Sequence, residues 1–282
     1  MLTCMRFARW PAALLLMTAA AAVSWRAQTP GPSLQQDVDQ ARALLCPLYA
    51  LPPEPCQAPM DVRLAATGDA LPPGWGGLPS YAAGAAEPET GRVLIVLARC
   101  GPYPFGDVDQ TLRHEISHVL LYRSLGFRAP RWLDEGLAMR ASAEWGFSDE
   151  WYAAMALPFV ARGSWRLSRV DADFAGGESQ VRRSYALAKG FVRDLFKTDG
   201  DLTGFLLEAR RDRSVDLAFV RRFGLTPDAA FRRWAENLPW WGEWVVALSS
   251  PNVLWTAVLG LFLLAVLAGW RRRRRKYEAL DD

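Results

Sequence analysis

The segment that decides the fold lies at residues 107–126 and reads D-V-D-Q-T-L-R-H-E-I-S-H-V-L-L-Y-R-S-L-G. The Asp107 side chain can cap the start of a helix, and Gly126 can end one in the left-handed conformation. These two signals predict one continuous helix between them. Within that helix His114 and His118 are four residues apart, so both imidazoles project from the same face and can reach a single metal ion.

The chain contains only two histidines, and both belong to the sequence H-E-I-S-H at 114–118. In hydrolases with this pattern the two imidazoles bind zinc, and the Glu after the first His accepts a proton from a water in the open coordination position. We therefore predict one Zn²⁺ per chain, bound by His114 and His118, with Glu115 as the general base. The alternatives are an amphipathic helix with two incidental histidines and a metal site without catalysis.

A tetrahedral zinc site with one open position needs a third protein ligand. Because the chain has no third histidine, that ligand must be a carboxylate. The segment P-R-W-L-D-E-G-L-A at 130–138 follows the first helix after a short connection, and Pro130 is expected to open a second helix there. This segment offers two candidates, Asp134 and Glu135.

H-E-x-x-H followed by W-L-x-E-G-x-A resembles the gluzincin zinc metallopeptidases, most closely the bacterial peptidase MA-like domains, over about residues 93–234. The resemblance implies that Glu135 is the third zinc ligand. It also implies a zincin-like fold, in which a sheet with a substrate-binding edge strand precedes the metal helix and a mostly helical part. Arg92–Ala98 would be that edge strand. Thermolysin-like members carry an Asp four residues after the ligand Glu, where this chain has Met139.

A later segment bears on catalysis. Peptide hydrolysis needs a hydrogen-bond donor for the oxyanion, and several gluzincins supply a Tyr from a later helix. The sequence S-Y-A-L-A-K-G-F-V-R-D-L at 184–195 is similar to the later helix of peptidase MA-like domains. The resemblance therefore assigns the donor role to Tyr185. The alternative is a tyrosine that serves only in packing.

Apolar segments lie near both ends of the chain. Residues 10–23 carry no charge and follow two arginines, so residues 1–27 are predicted to be a signal peptide or an N-terminal anchor. Residues 253–270 also carry no charge and precede five arginines and a lysine. A membrane-spanning helix needs about 20 apolar residues, and clustered basic residues stay in the cytoplasm. We therefore predict a transmembrane helix at 253–270 with a basic cytoplasmic tail at 271–282.

The remaining chain divides into an N-terminal lead segment at 28–59, a catalytic domain at 60–238 and an aromatic juxtamembrane segment at 239–252. Strand patterns at Met60–Ala66, Tyr81–Ala86 and Arg92–Ala98 precede a long helical region. This order predicts an α+β fold. The expected location is the cell membrane, with a single span after signal cleavage and the catalytic domain in the periplasm or outside the cell.

Charge and cysteine content limit the partners and the compartment. Between residues 28 and 250 there are 24 Lys and Arg and 27 Asp and Glu, so no basic surface indicates a nucleic-acid partner. The expected partners are a peptide or protein substrate and, through the C-terminal helix and basic tail, membrane lipid. Cys46 and Cys56 flank a proline-rich loop expected to be irregular, and an oxidising compartment favours a disulfide between them with Cys100 left free.

The motif and the resemblance together imply a membrane-anchored zinc metallopeptidase that hydrolyses peptide bonds outside the cytoplasm. The alternative is a catalytically inactive, membrane-tethered zinc-binding protein that serves in assembly or interaction. The presence of Glu115 favours the enzyme, because zinc binding alone does not require that residue.

Overall fold

The computed structural model describes residues 32–68, 71–101, 107–142, 166–238 and 251–278, so the predicted signal peptide lies outside the described residues. The described elements are, in chain order, α1 (Pro32–Leu48), α2 (Pro53–Gln57), β1 (Asp61–Ala65), β2 (Gly84–Glu87), β3 (Arg92–Val96), a 3-10 turn (Leu97–Arg99), α3 (Val108–Leu125), α4 (Arg131–Ala141), α5 (Leu167–Asp173), α6 (Glu178–Leu195), α7 (Asp199–Asp212), α8 (Val215–Phe223), α9 (Pro227–Glu236) and α10 (Pro251–Glu278). A small sheet among many helices confirms the α+β class.

The described strands form one sheet in the order β1-β3-β2, with β1 parallel and β2 antiparallel to β3. The prediction that Arg92–Ala98 is the edge strand is therefore wrong. Its four residues V-L-I-V at 93–96 are all fully buried, because β1 and β2 flank the strand, α3 packs on one face and loop residues around Trp75 cover the other. An unbroken apolar run of this kind is typical of a central strand, whereas a strand with one exposed face alternates. Among the described strands, β2 takes the edge position beside the predicted metal helix.

The predicted metal helix is confirmed as α3. Asp107 accepts a hydrogen bond from the Gln110 backbone N–H, and the Gln110 side chain accepts one from the Asp107 backbone N–H, which completes a capping box. Gly126 ends the helix with φ of 78°, in the left-handed region. The helix packs against α1, α4, α7, β2 and β3, so it runs through the centre of the described structure.

Residues from the predicted lead segment pack against one flank of α3. The buried Tyr49 hydroxyl lies 2.5 Å from the Ser117 hydroxyl, and Ser124 donates a hydrogen bond to the Tyr49 carbonyl. The disulfide between Cys46 and Cys56 is present, and α2 replaces part of the loop that the prolines had predicted to be irregular. These contacts hold the lead segment against one flank of the metal helix.

Close packing between α4 and α6 positions the second half of the site. A Cβ atom built at Gly136 would stand 2.6 Å from Val192 Cγ2 and 2.8 Å from the Ala188 carbonyl oxygen. The glycine of the W-L-D-E-G segment therefore lets the two helices approach, and it immediately follows Glu135. Aromatic rings continue this interface, with Trp132 in contact with Phe191.

The final described helix, α10, is 28 residues long. The structure describes side chains for only part of α10. Among the described residues, no helix is both long enough and apolar enough to cross a bilayer. Residues 239–250 of the predicted juxtamembrane segment and residues 279–282 of the predicted tail lie outside the described ranges.

Replacement of Gly136 by alanine tests the α4–α6 contact. The added methyl group would overlap backbone atoms of α6, which cannot move as a free side chain can, so we expect Gly136→Ala to lower the free energy of unfolding by about 1–3 kcal/mol. Gly77→Ala is the matched control, because nothing lies within 4 Å of its added Cβ. Chemical unfolding followed by circular dichroism measures both, and equal stability of the two variants would contradict the packing role.

Candidate metal centre

Three side chains from two helices converge on one point. His114 and His118 come from α3, with ring centroids 5.0 Å apart, and Glu135 comes from the first turns of α4. Glu135 Oε2 lies 3.4 Å from His114 Nε2 and 3.7 Å from His118 Nε2. His114 and Glu135 are buried and 11% of the His118 side chain is exposed, and one ligand atom from each of the three lies within 4.8 Å of the other two.

This geometry fits a metal ion. With bonds of about 2.0–2.1 Å, neighbouring ligands of a tetrahedral ion stand about 3.3 Å apart, close to the two measured distances. Glu135 Oε2 is also buried without a hydrogen-bond partner among the described residues. A buried carboxylate oxygen without a partner is costly, and an ion bound there would remove that cost. The group can therefore hold a metal ion.

Asp134, the other carboxylate candidate, faces a different atom. Its Oδ1 lies 2.6 Å from His118 Nδ1, on the opposite side of the ring from Glu135. A carboxylate at this position holds the imidazole in one orientation and leaves Nε2 for the ion. Asp134, the residue before Glu135, thus supplies an orienting carboxylate. The position four residues after Glu135 holds the buried, apolar Met139.

The charged groups of the centre shift one another's pKa values. Burial lowers the pKa of His118, but the nearby carboxylates of Asp134 and Glu135 outweigh burial and raise it to about 10. Burial raises the pKa of Glu135, but His118, His114 and Arg131 outweigh burial and lower it to about 2. The raised pKa of His118 and the lowered pKa of Glu135 both favour a protonated imidazole facing an ionised Glu135 carboxylate.

Glu115 lies beside the metal group and lines the same cleft. It is buried and stands against the backbone of β2, at Gly84. A Cβ atom built at Gly84 would stand 2.7 Å from both Cγ and Oε1 of Glu115. Only glycine therefore leaves room for the present position of the Glu115 side chain, a role that the sequence did not predict.

Tyr185 from α6 reaches the same region. Its ring packs edge-on against His114, with centroids 6.3 Å apart, and against Phe174 at 5.2 Å. Burial, together with the carboxylates of Glu135 and Glu115, raises the pKa of Tyr185 well above its ordinary value. The phenol therefore keeps its proton over the physiological range and can act as a hydrogen-bond donor.

The cleft in front of the metal group has a volume of about 680 Å³. Its lining comes from the region around β2, from α3, α4 and their connection, and from α6 and the α5–α6 connection: Pro79, Tyr81, Ala82, Gly84, Ala85, Ala86, Pro88, His114, Glu115, His118, Leu121, Tyr122, Arg128, Ala129, Arg131, Asp134, Glu135, Phe174, Ala175, Val181 and Tyr185. Every predicted site residue therefore opens onto one cleft large enough for several residues of an extended peptide.

No protein-family model, curated protein or solved structure matches the chain. The site must therefore be interpreted from its own residues. The structure brings together the five residues singled out by sequence, His114, Glu115, His118, Glu135 and Tyr185. Sequence reasoning missed the contact of Asp134 with His118 and the role of Gly84, because neither a ring orientation nor a close backbone approach leaves a signal in the motif.

The pKa of His118 predicts that metal binding releases protons. The imidazole is protonated below a pKa of about 10 and must lose the Nε2 proton to become a ligand, so metal affinity should rise with pH between about 6 and 9. Isothermal titration calorimetry with Zn²⁺ at pH 7.5, in buffers of different ionisation enthalpy, measures the protons released. Asp134→Asn should release fewer, because that variant lacks one carboxylate that raises the pKa. Equal release by both proteins would contradict this account.

Gly84→Ala tests the space beside Glu115. The added methyl group must displace the Glu115 side chain, so we expect the peptide cleavage predicted by the motif to fall about 10–100-fold, with metal content unchanged. Gly76→Ala is the matched control, because its added Cβ meets no atom within 4 Å. Metal content by atomic absorption and cleavage of a quenched peptide are measured in parallel. Full activity of Gly84→Ala would show that the glycine does not determine the position of Glu115.

Proposed function

We propose that the protein is a membrane-anchored, zinc-dependent metallopeptidase of gluzincin type that hydrolyses peptide bonds outside the cytoplasm. One observation carries the proposal: Glu115 lies in the same cleft as the His114, His118 and Glu135 group but is not a member of it. A site built only to store a metal has no use for a further buried carboxylate beside its ligands. A hydrolytic site needs one as a proton acceptor.

The donor set favours zinc. Two imidazole nitrogens and one carboxylate oxygen, with room for a fourth ligand, match the composition of catalytic zinc sites in peptidases. When bound, zinc would polarise the scissile carbonyl and lower the pKa of a water molecule to about 7. The ordered contact of Asp134 with His118 also suits a resident ion, since ligating histidines usually donate their other N–H to a carboxylate.

Glu115 is the proposed general base. Its carboxylate accepts a proton from the attacking water and later transfers that proton to the leaving amine. The neighbouring residue on a helix points about 100° away from His114, so Glu115 is directed beside the ligand group rather than into it. Gly84, which has no Cβ, leaves the space that the Glu115 side chain occupies there.

Tyr185 is the proposed oxyanion donor. Its raised pKa keeps the hydroxyl protonated, and its ring contact with His114 holds it next to the metal group. A protonated phenol can donate a hydrogen bond to the oxygen on which negative charge develops in the transition state. Phe174 packs against the ring and limits its movement.

Strand β2 is the proposed binding strand for the peptide. Among the described strands it pairs only with β3, and Gly84, Ala85 and Ala86 of β2 line the cleft. Backbone groups on a free strand edge can pair with an extended peptide, which brings a scissile bond past the metal group. Small side chains on this strand keep that path open.

Placement outside the cytoplasm rests on separate features. The Cys46–Cys56 disulfide supports an oxidising compartment. The proposed transmembrane helix at 253–270 falls within α10, where large apolar side chains such as Trp255, Phe262 and Trp270 are exposed. An apolar helix surface of this kind would be covered by lipid in a membrane. The signal peptide and the cytoplasmic basic tail remain part of the proposal.

Glu115→Gln separates catalysis from metal binding. The variant keeps the shape of the side chain but loses the proton acceptor, so it should retain about one zinc per chain while peptide cleavage falls about 10²–10⁴-fold. Glu236→Gln, an exposed change on α9 outside the cleft, should leave both unchanged. Glu135→Gln should instead weaken zinc binding, with partial recovery of activity when zinc is added, and Tyr185→Phe should lower turnover about 10²–10³-fold.

Zinc content by mass spectrometry and cleavage of a quenched peptide library by the full chain in detergent test these expectations. A Glu115→Gln variant that cleaves as fast as the parent would refute the peptidase proposal. A zinc-loaded parent that cleaves no peptide would favour the membrane-tethered zinc-binding protein instead.

A further inference from the structure

We propose that Arg131, at the start of α4, selects peptides that carry a carboxylate next to the scissile bond. The carboxylate can belong to an Asp or Glu side chain or to the C-terminus of the peptide, since both present the same two oxygens. This inference rests on the proposed peptidase function and gives it a substrate class.

Arg131 lines the cleft close to the metal group. Its Nη2 lies 3.8 Å from Glu135 Oε1, and 53% of its side chain is exposed. One residue of an extended peptide spans about 3.3–3.6 Å. A carboxylate one or two residues away from a carbonyl at the metal group would therefore come within reach of the guanidinium.

The guanidinium is held with its donors available. Its Cζ lies 5.2 Å from the ring centre of Phe174, so the planar group rests over an aromatic face. The N–H donors of arginine point outward in the plane of the group, and contact with a ring face does not occupy them. Phe174 in turn packs against Tyr185, which fixes this wall of the cleft.

Neighbouring acidic groups leave Arg131 largely unpaired. Among the described residues no acceptor lies within hydrogen-bonding distance of Arg131, and Glu135 is the acidic residue paired with it, at 3.8 Å. Burial raises the pKa of Asp171, and Arg131 is near enough to oppose that rise, but Asp171 Oδ1 already accepts a hydrogen bond from the Trp132 backbone N–H.

The second arginine of the cleft differs. Arg128 makes two hydrogen bonds to the carboxylate of Glu89, so its charge and its donors are already engaged. Arg131 is therefore the better placed of the two to form a bidentate pair with an incoming carboxylate. A charge-assisted pair of this kind should favour an acidic peptide over its neutral isostere by about 10–100-fold.

The first experiment measures kcat/KM with the zinc-loaded full chain. One peptide series carries a single Asp, moved through the positions on either side of the cleavage site and compared with Asn. A second series compares a free C-terminal carboxylate with the amide. We expect one series to show a preference of at least about tenfold, which identifies the source of the carboxylate.

Substitutions test whether Arg131 causes the preference for acidic peptides. Arg131→Gln should bring the acid-to-neutral ratio to about 1, Arg131→Lys should restore part of it, and Arg128→Gln should keep the parent ratio because Glu89 already pairs with Arg128. A ratio of about 1 in the parent, or a ratio that Arg131→Gln leaves unchanged, would overturn the proposal. An equal loss for acidic and neutral peptides would mean that Arg131 only positions Glu135, and would also overturn it.

A binding measurement separates this proposal from the proposed function. In a Glu115→Gln background, fluorescence anisotropy gives the Kd of the same labelled peptides without turnover. The acidic peptide should bind at least about tenfold more tightly than its neutral partner, and Arg131→Gln should remove that difference. Absence of cleavage by the parent would refute the peptidase, whereas equal Kd values in the Glu115→Gln protein would refute the role of Arg131.

Discussion

The contact between Glu135 and the two imidazoles of α3 joins the part of the molecule built on the sheet to the part built on α4 and α6. α3 packs against the sheet and α1, whereas α4, which carries Glu135, packs most closely against α6. Burying a carboxylate is costly unless charge or a metal ion compensates it. The site therefore favours one placement of α4 on α3. The close approach of α6 to Gly136 fixes the position of α4 as well.

Charge in the centre is arranged so that a proton and a metal ion can replace each other. His118 lies between Asp134 and Glu135, and these carboxylates stabilise either a protonated imidazole or a bound cation. Tyr49 contacts Ser117 on a flank of α3, so the lead segment helps to hold this helix in place.

The cleft combines this fixed centre with a wall that can recognise a ligand. β2 offers a free strand edge among the described residues, with small side chains along the path of a peptide. Elsewhere in the lining, the guanidinium of Arg131 lies over the ring of Phe174. In the proposed peptidase, backbone pairing would place any extended peptide, and Arg131 next to the metal group would distinguish one peptide from another.

The sequence by itself determined α3 and the shared direction of His114 and His118, because helix caps and an i, i+4 spacing are local. It also indicated the three strands, but it assigned the edge position to the wrong one, since strand order depends on partners distant in the chain. Only the tertiary structure decided which carboxylate faces the imidazoles. Asp134 and Glu135 are adjacent, and a helix turns its side chains by about 100° per residue, so their roles follow from how α4 lies on α3. The space that Gly84 leaves for the Glu115 side chain likewise exists only once β2 lies against the metal helix.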